Sequence, residues 1–414
     1  MNYITIKETA KKWGVTDRQV QLLCKKGAVE GAQKFGRSWM IPENAEKPHD
    51  GRTKEGRTES KAPFDMSVTM PRKTPFLLMT DLYSKPGSAE ESAERLSDFS
   101  LAKTLFEAEI AYARGDIDAV YQSANVLLKG TSFYSVLASG TLLALCAIWR
   151  GDLTLWRLAK VHIAEAPAEN DADREIITLA LTAVDCMLYD TSSFPEWFKI
   201  GSFEPLHKDA LPSAKVFYAK YLYSVAFVVA TRELEVDGQK GLSLMSVLPY
   251  IIEPMISQTM ADSSVVAEIY LRFTCATAYH NFGNEKMAEH HVKRAIALAL
   301  PDKLYGTLAE YCRVIYHLME KCLTELDANV WQAVRTLYLG YYSGWTKLSG
   351  SVRGKHLITT LSPRERSVAR LAAFGMQNSE IAEKLHMSLS GVKQAIRIIS
   401  EKMGVSRDKF AAYL

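Results

Sequence analysis

The sequence predicts a mainly α protein with a helix-turn-helix at each end and a long all-helical middle. Three observations carry that prediction. Apolar residues recur at helical spacing across residues 92–348 almost without strand signals. Residues 361–405 break into three short amphipathic helices with stop signals between them. Strand signals are confined to Val29–Ile41, where two extended segments join through Gly36 and end at Pro42.

A chain of 414 residues is too long for one ordinary core and should divide into several domains. Its 48% hydrophobic and 23% charged residues are those of a soluble globular protein. The net charge of +3 is unevenly spread. Residues 1–60 hold 12 basic against 8 acidic side chains and residues 351–414 hold 11 against 5, leaving −7 for the 290 residues between. Basic ends around an acidic middle are expected if the ends meet nucleic acid and the middle does not. The six cysteines show no paired short spacing and read as buried reduced thiols. The N-terminus lacks the apolar stretch of a secretory signal, and the longest nearly apolar run, Val136–Trp149, suits a buried core helix better than a membrane span. A cytoplasmic protein with no membrane partner is expected.

In chain order, residues 3–13 form a helix entered at Thr5, with Glu8 at capping-box spacing and Ile6, Ala10 and Trp13 on one face. Gly14 stops it, and Thr16 caps a second helix from Asp17 to Lys25 that exposes Arg18, Gln19, Lys25 and Lys26 while Val20 and Leu23 pack inward. With the hairpin that follows, residues 1–45 make a small winged helix-turn-helix. They are similar to the excisionase and MerR-like winged-helix domains through Tyr3 to Glu8, Ala10, Gly14 to Thr16, Val20, Gly27 and the wing Phe35 to Pro42. That resemblance implies DNA contacts from Thr16, Arg18 and Gln19 and from Lys34 and Arg37 on the wing, with Trp39 anchoring the wing to the core.

Residues 46–91, rich in Lys, Arg, Glu, Pro, Gly, Ser and Thr, read as a linker with one apolar patch around Pro75–Leu82. The helical middle, 92–348, holds a weak repeat: small and aromatic residues, then Gly plus a capping Asp or Asn, at Gly115–Asp116, Gly151–Asp152 and Gly283–Asn284. Gly115 and Gly151 lie 36 positions apart. That period resembles the tetratricopeptide repeat, whose helix pairs stack into a superhelix; an irregular helical domain is the alternative.

At the C-terminus, apolar positions Val368, Leu371 and Ala372, then Ile381, Ala382 and Leu385, then Val392, Ile396, Ile399 and Met403 define the three helices. Asn378 or Ser379 can cap the second, a tight turn follows at His386–Met387, and Ser388 can cap the third. That third helix faces Ser390, Lys393, Gln394 and Arg397 outward, donors suited to phosphates and base edges. Residues 355–414 resemble the LuxR-type DNA-binding domain through Leu361 to Glu365, Gly375, Asn378, Glu380 to Ala382, Leu385, Ser388, Val392, Lys393 and Met403 to Val405. Two positions depart from the family pattern, Gly391 where Thr is usual and Ala395 where His is frequent, which bears on which sequence is read. The resemblance implies double-stranded DNA as partner, with Ser388, Ser390, Gly391, Lys393, Gln394 and Arg397 at the interface. It also implies dimerisation on inverted half-sites and contact with RNA polymerase.

Other candidates are weaker. Cys275 with His280, His290 and His291 has metal-ligand chemistry, but Gly283 breaks the helix between them and satisfied or solvent-facing histidines are the plainer reading. The aromatic residues Trp149, Trp156, Trp197, Tyr218, Tyr221 and Tyr223 fit a core better than a ligand pocket. The chain has no phosphate loop, nucleophile elbow, zinc-protease helix or dinucleotide glycine set, and no alternation of strands and helices as in a receiver domain. The expectation is therefore a bacterial-type transcription regulator, not an enzyme and without cofactor, whose helical middle senses a small-molecule or protein effector or oligomerises. The alternative is a helical-repeat scaffold whose ends dock on proteins.

Overall fold

The structure is a computed structural model and describes residues 3–25, 29, 31–35, 38–45, 47, 83–97, 100–206, 208–236, 243–353, 361–403 and 405–412. The chain divides into two compact units, Met1–Thr69 and Met70–Leu414.

The first unit runs β1 (Tyr3–Thr5), α1 (Ile6–Trp13), α2 (Asp17–Lys25), β2 (Gln33–Phe35) and β3 (Ser38–Pro42). Helix α1 starts where Thr5 Oγ1 accepts from the Glu8 amide and the Glu8 carboxylate accepts from the Thr5 amide at 2.8 Å. It ends at Gly14, whose φ of 64° is a left-handed cap conformation that glycine adopts without strain. Strand β3 is central, antiparallel to β1 and β2, with Ile4 opposite Ile41 and Lys34 opposite Trp39. Here the structure corrects the sequence reading, which began the helix at residue 3: residues 3–5 are extended and pair with β3. Ala10, Trp13, Val20, Cys24, Val29 and Ile41 form the core, with Leu23 and Trp39 packed at its edge.

The second unit takes in part of the expected linker. Tyr83 is fully buried, and the Gly87 amide donates to Asp302 at 2.7 Å just before α3 (Ala89–Glu94). The apolar patch expected at Pro75–Leu82 lies outside the described residues. Helices α4 (Ser100–Arg114), α5 (Ile117–Leu127), α6 (Phe133–Arg150), α7 (Leu153–Ala164) and α8 (Asp171–Met187) follow, successive members packed together. After a short α9 (Glu196–Lys199) come α10 (Leu211–Val236), α11 (Ser243–Ala261), α12 (Val265–Phe282), α13 (Glu285–Ala299), α14 (Tyr305–Leu326) and α15 (Ala328–Arg353). The sequence repeat is a structural device. Gly115, Gly151 and Gly283 end α4, α6 and α12 at positive φ, and Asp116, Asp152 and Asn284 then cap α5, α7 and α13 by accepting from the amide three residues on. Helix α15 lies across α6 so closely that a Cβ at Gly344 would sit 1.9 Å from the Trp149 carbonyl oxygen. Among the described residues, α6 is the one helix long and apolar enough to cross a membrane, and 78% of it is buried inside the body.

The centre of this body holds charge. Glu310 Oε1 accepts from the Tyr112 hydroxyl at 2.5 Å, and Oε2 lies 4.0 Å from the Lys220 ammonium. That ammonium also stands 4.9 Å from the ring centre of Tyr270, and the Arg313 guanidinium stands 4.3 Å from that of Trp345. The six cysteines are free thiols and all buried.

The chain closes with α16 (Pro363–Ala373), α17 (Asn378–Lys384), α18 (Leu389–Met403) and a 3-10 turn at Arg407–Ala412. Helix α16 rests on α10, with the Arg366 guanidinium 5.8 Å from the Phe227 ring centre, and the Tyr342 hydroxyl donates to the Lys402 carbonyl.

Candidate nucleic-acid interface

Three local caps shape the C-terminal domain. Ser362 and Glu365 form a reciprocal box that opens α16, the Ser362 amide donating to the Glu365 carboxylate at 2.7 Å. Helix α17 opens one residue earlier than the sequence suggests. Gln377 is extended (φ −69°, ψ 154°) and its amide donates to Glu380 at 2.5 Å, whereas the Asn378 side chain accepts from Arg407 at 2.5 Å. The chain then turns through His386 at φ 49°, and Ser388 Oγ accepts from the Gly391 amide at 3.0 Å to start α18. A Cβ at Gly391 would sit 3.0 Å from that same oxygen, so the position that departs from the family pattern lies beside the cap.

Helix α18 has two faces. Val392, Ile399 and Met403 are buried against Val368 and Leu371 of α16, Ile381 and Leu385 of α17, and Phe410, with Ile396 partly buried beside them. Ser390, Lys393, Gln394 and Arg397 fall at the three- and four-residue spacing of one helical stripe and are exposed, as is Ser388; Gly391 is half-buried. The Ser388 and Ser390 hydroxyls lie 3.1 Å apart, and Arg397 Nε is 4.0 Å from Glu401 in a contact so exposed that water screens it. The stripe thus offers two hydroxyls, an amide and two cations to a groove, and the packing of α16 on α10 leaves it open.

A mostly buried ion pair braces this arrangement. The Lys402 ammonium donates to both Glu365 oxygens, at 2.7 and 2.9 Å. Burial opposes ionisation of Glu365, but Lys402 and the Ser362 cap outweigh it and hold its carboxyl below the ordinary 4.5. A depressed acid stabilises the fold above its ordinary value, and that contribution is lost as pH falls through the carboxylate range. Lys402→Ala should therefore destabilise the domain by about 3 kcal/mol at neutral pH, and the deficit should shrink below about pH 4. Chemical denaturation followed at the two pH values checks this; an equal deficit at both would show that the pair does not hold the domain.

Residues 359–413 match the family described as bacterial regulatory proteins, luxR family. They form a LuxR-family helix-turn-helix domain. Such a domain is the DNA-binding part of a transcription regulator, and α17 and α18 are its helix-turn-helix. No curated protein and no solved structure matches the chain. The LuxR-family domain holds a fourth segment that the sequence reading passed over. Phe410, in the 3-10 turn, is fully buried, and Arg407 ties this segment to Asn378 and the Met376 carbonyl. The one signal was an aromatic residue after a polar run.

In the first unit, Arg18 is exposed on the first turn of α2 and Lys34 is exposed on β2. The Thr16 amide donates to Gln19 Oε1 at 2.9 Å and Thr16 Oγ1 accepts from the Gln19 amide at 3.4 Å. The Gln19 carbonyl is thus committed to the cap, leaving its NH2 group to donate outward. Arg37 and Lys26 lie outside the described residues.

Proposed function

We propose that the chain is a sequence-specific transcription regulator whose α18 enters the major groove of double-stranded DNA. Ser388, Ser390, Gly391, Lys393, Gln394 and Arg397 form its contact surface. The observation that carries this reading is the exposed donor stripe on a capped helix fixed over its own core, within a LuxR-family domain. Residues 1–45 act as a second, excisionase- or MerR-like reader through Thr16, Arg18, Gln19, Lys34 and Arg37. The tetratricopeptide-like body of residues 92–348 carries the effector response or the pairing of two chains, and RNA polymerase is a further partner.

A selection of genomic fragments with the full chain, with residues 1–60 removed and with residues 355–414 removed, tests this. Loss of a symmetric site on removing 355–414 supports the reading. Enrichment of nothing by the full chain would favour a scaffold that docks on proteins. For the N-terminal reader, Arg18→Ala with Lys34→Ala should lower the log–log salt slope of binding by about two, at roughly 0.9 per phosphate contact. Full-length protein titrated from low to high salt reads this, and an unchanged slope would remove the first unit from the DNA.

A further inference from the structure

Beyond the nucleic-acid interface, three consecutive helices bring together donors that are far apart in sequence: the Glu253 carboxylate of α11, the Cys275 thiol of α12 and the His291 imidazole of α13. His291 Nε2 lies 3.5 Å from Glu253 Oε1 and 3.7 Å from Cys275 Sγ, and the three donor atoms all fall within 4.8 Å of one another. A nitrogen and a carboxylate oxygen 3.5 Å apart are too distant for a strong hydrogen bond. They match instead the edges of a tetrahedral zinc site, about 3.3–3.6 Å for bonds of about 2.0–2.3 Å. We propose that Glu253, Cys275 and His291 bind a divalent zinc-type cation in tetrahedral geometry, with solvent as the fourth ligand.

The surroundings support the assignment. His291 is buried, and it is its Nε2 that faces the Glu253 carboxylate and the Cys275 thiol. Its ring lies nearly parallel to that of Tyr279, 5.6 Å between centres, which fixes the imidazole plane. The Tyr279 hydroxyl in turn donates to Glu253 Oε1 at 2.6 Å, the kind of outer contact that orients a metal-bound carboxylate. Glu253 is the entrance: its side chain is 40% exposed and lines an open groove with Tyr250, Pro254, Ser257, Gln258 and Ala261. Arg272, the nearest opposing charge on α12, is neutralised by Glu268 at 2.6 Å. The mixed sulfur, nitrogen and oxygen set suits zinc over magnesium or calcium, which take oxygen ligands. Binding forms the metal–sulfur bond as the Cys275 thiol releases its proton to solvent.

The test is a titration of the full, reduced, metal-free chain with cobalt(II) chloride. A bound ion should give visible bands of a four-coordinate site and a near-ultraviolet thiolate-to-cobalt band, both lost on adding zinc. Cys275→Ser should abolish the thiolate band and Cys312→Ser should retain it. Glu253→Gln, at the half-exposed position where the fold tolerates change, should weaken binding at least tenfold with an unchanged circular dichroism spectrum. Absence of the thiolate band in the unsubstituted chain, its survival in Cys275→Ser, or unaltered affinity in Glu253→Gln would overturn the assignment.

Discussion

Replacing Lys393 and Arg397 together by alanine should lower affinity for the selected DNA site about a hundredfold, taking each lost contact as roughly 1–2 kcal/mol. Both side chains are exposed on α18 and outside the core, and among the described residues Arg397 meets only the exposed Glu401. Their removal therefore subtracts from the interface and not from stability. The core beneath, Val392, Ile399 and Met403, is untouched, so unfolding curves of the double variant and the unsubstituted protein should coincide. A phosphate contact and a base contact separate by their signatures. Loss of the first weakens binding to every sequence and flattens the salt slope by about one, while loss of the second relaxes preference at one position. Gln394→Ala, which removes a bidentate donor–acceptor but no charge, should show the second signature alone. Unchanged affinity in the double variant would mean that α18 is not the reading helix.

The largest expected loss of stability lies in the body. Glu310→Ala should cost about 3 kcal/mol, because it leaves the Lys220 ammonium buried without its carboxylate, among the rings of Phe217, Tyr270 and Tyr311 and the Met187 sulfur. It also strips the Tyr112 hydroxyl of its acceptor. Burial pushes the Glu310 carboxyl up and the Lys220 ammonium down, each partly offset by the other, so desolvation outweighs attraction in both. This is the regime in which a lone charge is worse than none. The melting temperature of the body should fall by about 5 °C, at roughly 1.5–2 °C per kcal/mol for a unit above about 250 residues. Glu310→Leu combined with Lys220→Met should recover most of the loss. A shift under about 2 °C for Glu310→Ala would show that the pair is not what joins α10 to α14.

What was legible in the residues alone has a common reach. The capping box of Thr5 and Glu8, the stop at Gly14, the cap at Ser388, and Gly115, Gly151 and Gly283 with their following Asp or Asn all act within four or five positions. The mainly helical class followed from such signals and from the spacing of apolar residues, and the outward stripe of α18 is the complement of the inward one. The misplaced cap at Gln377 has the same scale: a neighbour competent to cap was occupied elsewhere, by Arg407.

The sequence by itself therefore determined the helices, their faces and the LuxR-type character of the tail, because those depend on short-range geometry and on periodicity. Only the tertiary structure decided which distant groups meet. Residues 3–5 became a strand because β3 lay free to pair with them. Gly87 found Asp302 across 215 positions, and Tyr112 found Glu310 across 198. Glu253 joined Cys275 and His291, and α16 came to rest on α10 with the donor stripe of α18 outward. Contacts of that span are selected by the shape and burial of the whole body, and no local pattern in the chain encodes them.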